Sequence, residues 1–276
     1  MARSILITGC SSGIGYHCAH AMRARGWQVL ATCRKPQDAE RLRAEGLTCG
    51  VLDYADPDSI EAGLNWALAQ SGGGLDVLFN NGAWGVPGAV EDLPRDALRA
   101  IFEANFFGWH DLTARVIPIM RAQGHGRIIQ NSSVLGLVTY NWRGAYTATK
   151  FALEGLTDTL RIELRGTGIH VSLIEPGPVT SKIRVNSRAQ FERWIDWEAS
   201  ALSEEYRRGL LPRLYAETPK KDPFELPPDA VANKLIHAAE ANRPRPRYYV
   251  TVPTYIMGTL RRVLSTRMLD WVITRG

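Results

Sequence analysis

Three residues of this chain have the types and spacing to move a proton at a carbonyl oxygen. Tyr146 and Lys150 stand four apart in a helical stretch, so both side chains project from one helix face. A phenol with a reference pKa near ~10 is a poor partner for proton exchange at neutral pH. An ammonium ~5 Å away, at an effective dielectric of about 20, would stabilise the phenolate by roughly 3 kcal/mol, about two pKa units. That shift would poise Tyr146 for acid–base work. Ser133 ends the apolar run Ile128-Ile129-Gln130-Asn131-Ser132-Ser133. A hydroxyl at the carboxyl end of a strand faces the crevice where open α/β sheets bind ligands. It could donate to a developing alkoxide.

A second group of residues could hold a phosphate. Thr8-Gly9-Cys10-Ser11-Ser12-Gly13-Ile14-Gly15 lies between the strand-like Ile5-Leu6-Ile7-Thr8 and a helical run. Gly9 permits the tight turn, Gly13 lets backbone approach a pyrophosphate, and Gly15 lets helix pack closely on strand. The free N–H groups of the helix start then face the anion with a partial positive charge. At the end of the second strand a carboxylate would choose NAD and an arginine would choose NADP. The chain has Cys33-Arg34-Lys35 there. Guanidinium geometry matches phosphate, so Arg34, helped by Lys35, implies NADP(H). The plainer reading is two exposed loop cations.

These residues need a scaffold, and the chain supplies one. Short β-rich runs alternate with helical patterns, as βαβ units require. Strands are expected at Ile5–Thr8, Gln28–Thr32, Thr48–Leu52, Val77–Phe79, Arg127–Asn131, His170–Ile174 and Arg247–Thr251. Helices are expected to begin near Gly13, Asp38, Pro57, Arg95, Ala145 and Pro228. The fold class is α/β: a single Rossmann-type, doubly wound parallel sheet of about seven strands with helices on both faces. At 276 residues, 45% of them hydrophobic and 22% charged, one domain over 1–276 is the expected organisation.

Two stretches leave the alternation. Residues 181–228 form a long insertion holding Phe191, Trp194, Trp197 and Phe224, the size and composition of a substrate lid. The segment 253–276 reads as one amphipathic helix. Ile256, Leu260, Val263, Leu264, Met268, Trp271 and Val272 lie on one side, and Arg261, Arg262, Arg267 and Arg275 mark the other. Such a helix docks on its own fold, on a sister subunit, or peripherally on a membrane.

The net charge of +5 is only mildly basic, and no dense basic block or reader motif suggests nucleic acid. Cys10, Cys18, Cys33 and Cys49 lack CxxC spacing and read as buried, reduced thiols. His17 and His20 flank Cys18, but the spacing suits an ordinary helix face, so no metal is expected. The first apolar run starts at Ser4, which leaves no room for a secretory signal. With no apolar stretch near ~18 residues, a cytoplasmic location is expected.

The order TGxxxGIG, Asn-Asn after the fourth strand, Asn in a helix, Ser, YxxxK and Pro-Gly resembles the short-chain dehydrogenase/reductase family over about residues 4–180. The glycine spacing is similar to its compact single-domain branch. In wider sequence the chain resembles retinol and hydroxysteroid dehydrogenase-like members and bacterial aldehyde reductases. The resemblance implies that Tyr146 is the general acid in reduction. It implies that Lys150 lowers the tyrosine pKa and holds the nicotinamide ribose, that Ser133 orients the carbonyl, and that Asn105 supports a water chain from Lys150. Asp53 would bond adenine, Asn80 would stabilise the sheet beside the cofactor, and Pro176, Gly177, Val179 and Thr180 would grip the carboxamide. Ser11, Ser12 and Ile14 complete the cofactor set. One departure is Asn80-Asn81-Gly82-Ala83, where the family commonly shows Asn-Asn-Ala-Gly.

The substrate wall between Ser133 and Tyr146 holds Leu135, Leu137, Val138, Tyr140 and Trp142, faced by Trp84 and the lid aromatics. This favours a lipophilic aldehyde or ketone. The leading expectation is an NADPH-dependent carbonyl reductase. Alternatives are an NAD-linked steroid or retinol dehydrogenase working oxidatively, and a cofactor-sensing protein without catalysis. Family members commonly associate through helices corresponding to residues 95–122 and 145–166, so a homo-oligomer is expected, with Phe106, Phe107 and Trp109 as contact or core residues.

Overall fold

Short strands that are apolar on both faces must be covered on both sides. In the computed structural model, which describes residues 3–216 and 221–275, these runs form one seven-stranded parallel sheet of order β3-β2-β1-β4-β5-β6-β7. Its strands are β1 (Ser4–Ile7), β2 (Gln28–Cys33), β3 (Thr48–Val51), β4 (Val77–Asn80), β5 (Gly126–Asn131), β6 (Ile169–Glu175) and β7 (Arg247–Tyr249). The helices are α1 (Gly13–Ala24), α2 (Pro36–Ala44), α3 (Pro57–Ser71), α4 (Arg95–Phe102), α5 (Gly108–Gln123), α6 (Gly144–Glu163) and α7 (Ile183–Trp194). There follow the short α8 (Ser203–Glu205) and α9 (Leu211–Leu214), then α10 (Asp229–Glu240), α11 (Val252–Val263) and α12 (Thr266–Arg275).

All seven expected strands are present. β7 stops two residues early because Thr251 turns out of the sheet to become the N-cap of α11. α2 begins at Pro36, not Asp38, since proline suits a first helical turn. Strand alternation sorts the core into two layers. Ile5, Ile7, Val29, Ala31, Val77 and Phe79 pack toward α1, α2 and α10, while Leu6, Leu30, Leu78 and Ile128 pack toward α3, α5 and α6. Strand order reverses between β1 and β4, which opens a crevice at their carboxyl ends.

The insertion 181–228 builds a third core. Phe191, Ile195, Tyr206, Leu210 and Leu214 pack on Val86, Ile101 and Ala145. Tyr206 locks it: its phenol donates to Asp92 Oδ2 at 2.8 Å and accepts from Ala89 N at 2.7 Å, while Ser200 Oγ reaches the same carboxylate at 2.8 Å. Phe224 is not part of this core; it is exposed, with a left-handed φ of 60°. Residues 217–220, within the same segment, lie outside the described residues.

The C-terminal segment is two helices, not one. Leu264 is extended at ψ 148°, which ends α11 and resets the periodicity before α12. Arg262 is exposed like Arg261, Arg267 and Arg275, but it is tethered. It folds back, its Nη1 donating to Tyr249 Oη at 2.8 Å and to the Gly258 carbonyl at 2.6 Å. Val252, Ile256, Val263, Met268 and Trp271 stay exposed.

Candidate active site

The crevice is walled by the turns after β1 and β4, which one hydrogen-bond net ties together. Thr8 Oγ1 lies 2.8 Å from the Tyr54 phenol and accepts from Asn81 N at 2.9 Å. Asn81 Nδ2 donates to the Thr8 carbonyl at 3.0 Å, and Asn81 Oδ1 accepts from Asn131 Nδ2 at 2.8 Å. Gly9 has a φ of 67°, and a Cβ there would fall 2.5 Å from Gly82 Cα. The Gly82-Ala83 order therefore preserves the close approach of the two turns. Gly15 is equally constrained, since a Cβ would meet the Gly9 carbonyl at 2.4 Å.

The glycine turn fits a dinucleotide pyrophosphate. Gly13 has a φ of 58°, and Ser12, the N-cap of the twelve-residue α1, makes no side-chain cap bond. The first-turn N–H groups and the Ser12 hydroxyl are thus uncommitted within the helix start. Ser11 offers its carbonyl to Arg41 Nη2 at 2.6 Å, which brings a guanidinium from α2 to the same turn. Sequence reading missed Arg41, which had no strand-end position to flag it. Arg34 and Lys35 are exposed at the end of β2. Asp53 is half-buried and its Oδ1 caps Ala55 N at 3.1 Å.

Asn80 is not a crevice residue. It is fully buried, with Nδ2 donating to Thr113 Oγ1 at 3.0 Å and Gln130 Oε1 at 2.9 Å, while Oδ1 accepts from Tyr54 Oη at 2.5 Å. Strand alternation turns Asn80 into the sheet, and its neighbour Asn81 reaches the crevice turn instead. Asn80 thus ties β4 to β5 and α5.

On the opposite wall, Pro176 and Gly177 follow β6. The Pro176 carbonyl accepts from Val134 N at 2.7 Å. A Cβ on Gly177 would clash with Thr251 Oγ1 at 2.1 Å, so β7 and α11 press directly on this turn. Val179 bridges to Leu226, and the Thr180 hydroxyl donates to Glu225 Oε1 at 2.6 Å.

Ser133, Tyr146 and Lys150 come together at the ends of β5 and α6. The Ser133 hydroxyl caps Leu135 N at 3.1 Å and lies against the Tyr146 phenol, whose pKa it lowers. Lys150 is buried. Its Nζ donates to the Asn131 carbonyl at 2.9 Å and sits 4.2 Å from the Trp109 ring centroid and 5.5 Å from that of Tyr146. The electrostatics differ from the sequence expectation. Burial pushes the Tyr146 phenol up, not down, and only Ser133 opposes it. Burial also pulls Lys150 down to about 7, with the Glu154 charge pushing it back. Burial weakens the lysine's hold on its charge, and Lys150 is not among the groups that shift the phenol.

Asn105 sits in a π-turn, Glu103–Phe107, between α4 and α5. It is fully buried, and both polar atoms are used: Oδ1 accepts from Trp84 N at 3.1 Å and Nδ2 donates to the Trp84 carbonyl at 2.8 Å. The side chain pins the Trp84 loop, and each of its polar atoms keeps one further hydrogen-bonding position. Trp109 is fully buried as well, its Nε1 donating to the Gly82 carbonyl at 2.9 Å, so it is no subunit contact. Only its ring over Lys150 reveals a role at the site, and no spacing rule signals that. Tyr140, expected in the substrate wall, is exposed, while Leu137 and Val138 are buried.

The family model for short chain dehydrogenase matches residues 3–192. An oxidoreductase of Escherichia coli K12, YbbO, is 39% identical over 99% of this chain and 94% of its own. Human retinol dehydrogenase 5 is 31% identical over 98% of this chain and 87% of its own. An NADPH-dependent 3-dehydrocapnine reductase of Ornithobacterium rhinotracheale is 30% identical over 97% of this chain and 95% of its own. With that match running through the glycine turn, Ser133, Tyr146 and Lys150, the chain belongs to the short-chain dehydrogenase family of NAD(P)-binding oxidoreductases.

Proposed function

We propose that this protein is an NADPH-dependent carbonyl reductase of lipophilic aldehydes or ketones. One observation carries the reading: the Ser133 and Tyr146 hydroxyls meet at the edge of an apolar core built by the lid. Tyr146 packs on that core beside Trp84, Trp142, Trp194 and Trp197, all partly buried. A carbonyl group brought to the two hydroxyls would therefore carry its substituents into aromatic surroundings.

Bound NADPH supplies a hydride to the carbonyl carbon. Ser133 Oγ would donate to the carbonyl oxygen and fix its direction. Tyr146, kept protonated by its raised pKa, would give its phenolic proton to that oxygen and complete the alcohol. A phenol that burial holds neutral favours this direction over alcohol oxidation, which needs a phenolate. Lys150 would hold the ribose hydroxyls, and Asn105, through Trp84, would keep the roof in place.

Gly9, Ser11, Ser12, Gly13, Ile14 and Gly15 would hold the pyrophosphate, Asp53 the adenine, and Pro176, Gly177, Val179 and Thr180 the carboxamide. Arg34 and Lys35 would receive the 2′-phosphate. The NADPH-dependent relative supports that choice. The test is NADPH oxidation across aldehydes of increasing chain length, in wild type and Arg34→Asp. Turnover should rise with chain length. Arg34→Asp should weaken NADPH binding about 10–100-fold, the worth of one or two charged hydrogen bonds, and leave NADH nearly unchanged. Equal losses for both cofactors would refute the assignment.

The tail fits an anionic bilayer surface. Met268 and Trp271 are exposed on α12 with Arg267 and Arg275 on their own side, not the opposite one as expected, because the helical repeat brings positions 267, 268, 271 and 275 to one face; the Arg275 guanidinium lies 4.6 Å from the Trp271 centroid. A second copy would set these arginines against each other, whereas anionic headgroups would meet them. No helix among the described residues is long and apolar enough to cross a membrane, and a contact made through α12 would be peripheral. The protein should co-sediment with vesicles containing phosphatidylglycerol and not with neutral ones, and Met268→Ser/Trp271→Ser should release it. Retention by that double variant would argue for a protein partner.

A further inference from the structure

Behind the reacting residues lies a buried ionic knot that the scheme above leaves unused. Arg247 on β7 donates through Nη1 to Glu154 Oε2 and, at 2.5 Å, to Glu175 Oε1; its Nη2 reaches Asp158 Oδ2 at 2.6 Å. Glu175 is fully buried and Glu154 nearly so. Glu154 Oε1 and Glu175 Oε2 have no hydrogen-bond partner. Buried ion pairs return little net stability because desolvation offsets their attraction. The position of this one is more informative.

Glu154 follows Lys150 by one helical turn on α6 and lies under the 3-10 turn Val134–Gly136 that continues from Ser133. A Cβ on Gly136 would fall 2.9 Å from Glu154 Oε1 and 2.7 Å from Ser132 Oγ, so only glycine lets the turn rest on the carboxylate. The Ser132 hydroxyl makes no hydrogen bond of ordinary length, and the group it faces is Glu154, whose pKa it lowers. The turn is also sewn to the end of β6: Ser132 N donates to the Ile174 carbonyl and Val134 N to the Pro176 carbonyl, both at 2.7 Å.

We propose that Glu154, anchored by Arg247, is a positioning residue: it seats the Ser132–Gly136 turn that presents Ser133 and sets its side chain one helical turn from Lys150. This rests on Ser133, Tyr146 and Lys150 being the reacting set. Lys150 faces Tyr146 and Glu154 on its own helix, the Asn131 carbonyl on β5 and the Trp109 ring on α5. Glu154 faces Arg247 on β7, Glu175 on β6 and Asp158 on α6. Beyond them, Arg161 pairs with Asp158 at 2.5 Å and Arg262 of α11 acts on Glu175. Burial raises both glutamates, Glu175 to about 8, and Arg247 opposes the rise at each. Glu154 is in turn the group that raises Lys150 against its burial.

The test is an NMR titration of the Lys150 Cε signal in full-length protein carrying 13C-lysine, assigned by its loss in Lys150→Arg. Alongside it runs the pH profile of kcat for the aldehyde that the wild type reduces fastest. Lys150 should titrate near 7 in the wild type. In Glu154→Gln it should titrate about one pH unit lower, as loss of a nearby charge requires. The limb of the kcat profile should move by the same amount, kcat should fall about tenfold, and the KM for NADPH should change less. Glu154→Asp, which keeps the charge, should return most of the titration shift. If the amide variant does not fold, Glu154→Met serves, because it removes the same charge at similar volume. A Lys150 titration point that stays put or rises in these variants overturns the proposal. Tyr146→Phe in the same assay separates the two ideas. If it keeps full activity, the reacting set is wrong even where the Lys150 shift is seen. If it loses activity while Glu154→Gln leaves the titration unmoved, only the role of Glu154 is wrong.

Discussion

Tyr146→Phe is expected to lower kcat for carbonyl reduction by about 10²–10⁴-fold, the usual contribution of a positioned general acid. The KM for NADPH should stay close to wild type, because the phenol acts on the substrate oxygen and the glycine turn lies on another wall. A loss confined to kcat marks an interaction made in the transition state. Removing one oxygen from the half-buried ring leaves its packing on the lid core intact, so thermal stability should change little. Stopped-flow reduction of a long-chain aldehyde, with NADPH binding followed by fluorescence, reads both quantities. Wild-type turnover in this variant would remove Tyr146 from the mechanism. In the wild type a limb of the rate profile near pH 7 is expected from Lys150, which burial lowers to about 7, while burial raises the Tyr146 phenol.

The second large effect concerns stability. Arg247→Met should cost about 3–5 kcal/mol at pH 8, the usual penalty for stripping the counter-ion from buried charges. It would leave Glu154, Glu175 and Asp158 facing one another without their shared guanidinium. The pH dependence follows from the direction of the shifts. The Glu175 carboxyl is raised from its ordinary value to about 8, so the folded state holds its proton longer than the unfolded chain does. Stability from this group is therefore full below the unfolded value and falls as pH rises through about 8. Without Arg247 both glutamates rise further, and the deficit against wild type should grow from pH 5 to pH 9. Urea unfolding across that range measures it. A deficit that is constant with pH would assign the loss to packing of the arginine stem.

The strands and the glycine turn were legible because each is a local rule. Ile5-Leu6-Ile7 alternates between two apolar layers, and Gly9, Gly13 and Gly15 answer to φ and to contacts within one βα unit. The same locality placed Tyr146 and Lys150 on one face of α6. Contacts were not legible where they depend on what arrives from elsewhere in the chain. Asn80 and Asn81 are adjacent, yet the pleat sends one into the sheet and the other to the crevice. The sequence places Asn105 in a helix, but only the fold brings the Trp84 backbone against it. The tail keeps a continuous apolar pattern on paper, but Leu264 breaks the helix and Arg262 finds Tyr249 on β7.

By itself the sequence determined the family, the parallel sheet, the glycine turn and the shared helix face of Tyr146 and Lys150, since these are set by motif order, periodicity, glycine geometry and helix spacing. Only the tertiary structure decided the charge states at the site. Burial of Tyr146 and Lys150, and the convergence of Glu154, Glu175 and Arg247 from three elements, set their pKa directions. Desolvation depends on every atom packed around a group, and no spacing along the chain encodes that sum.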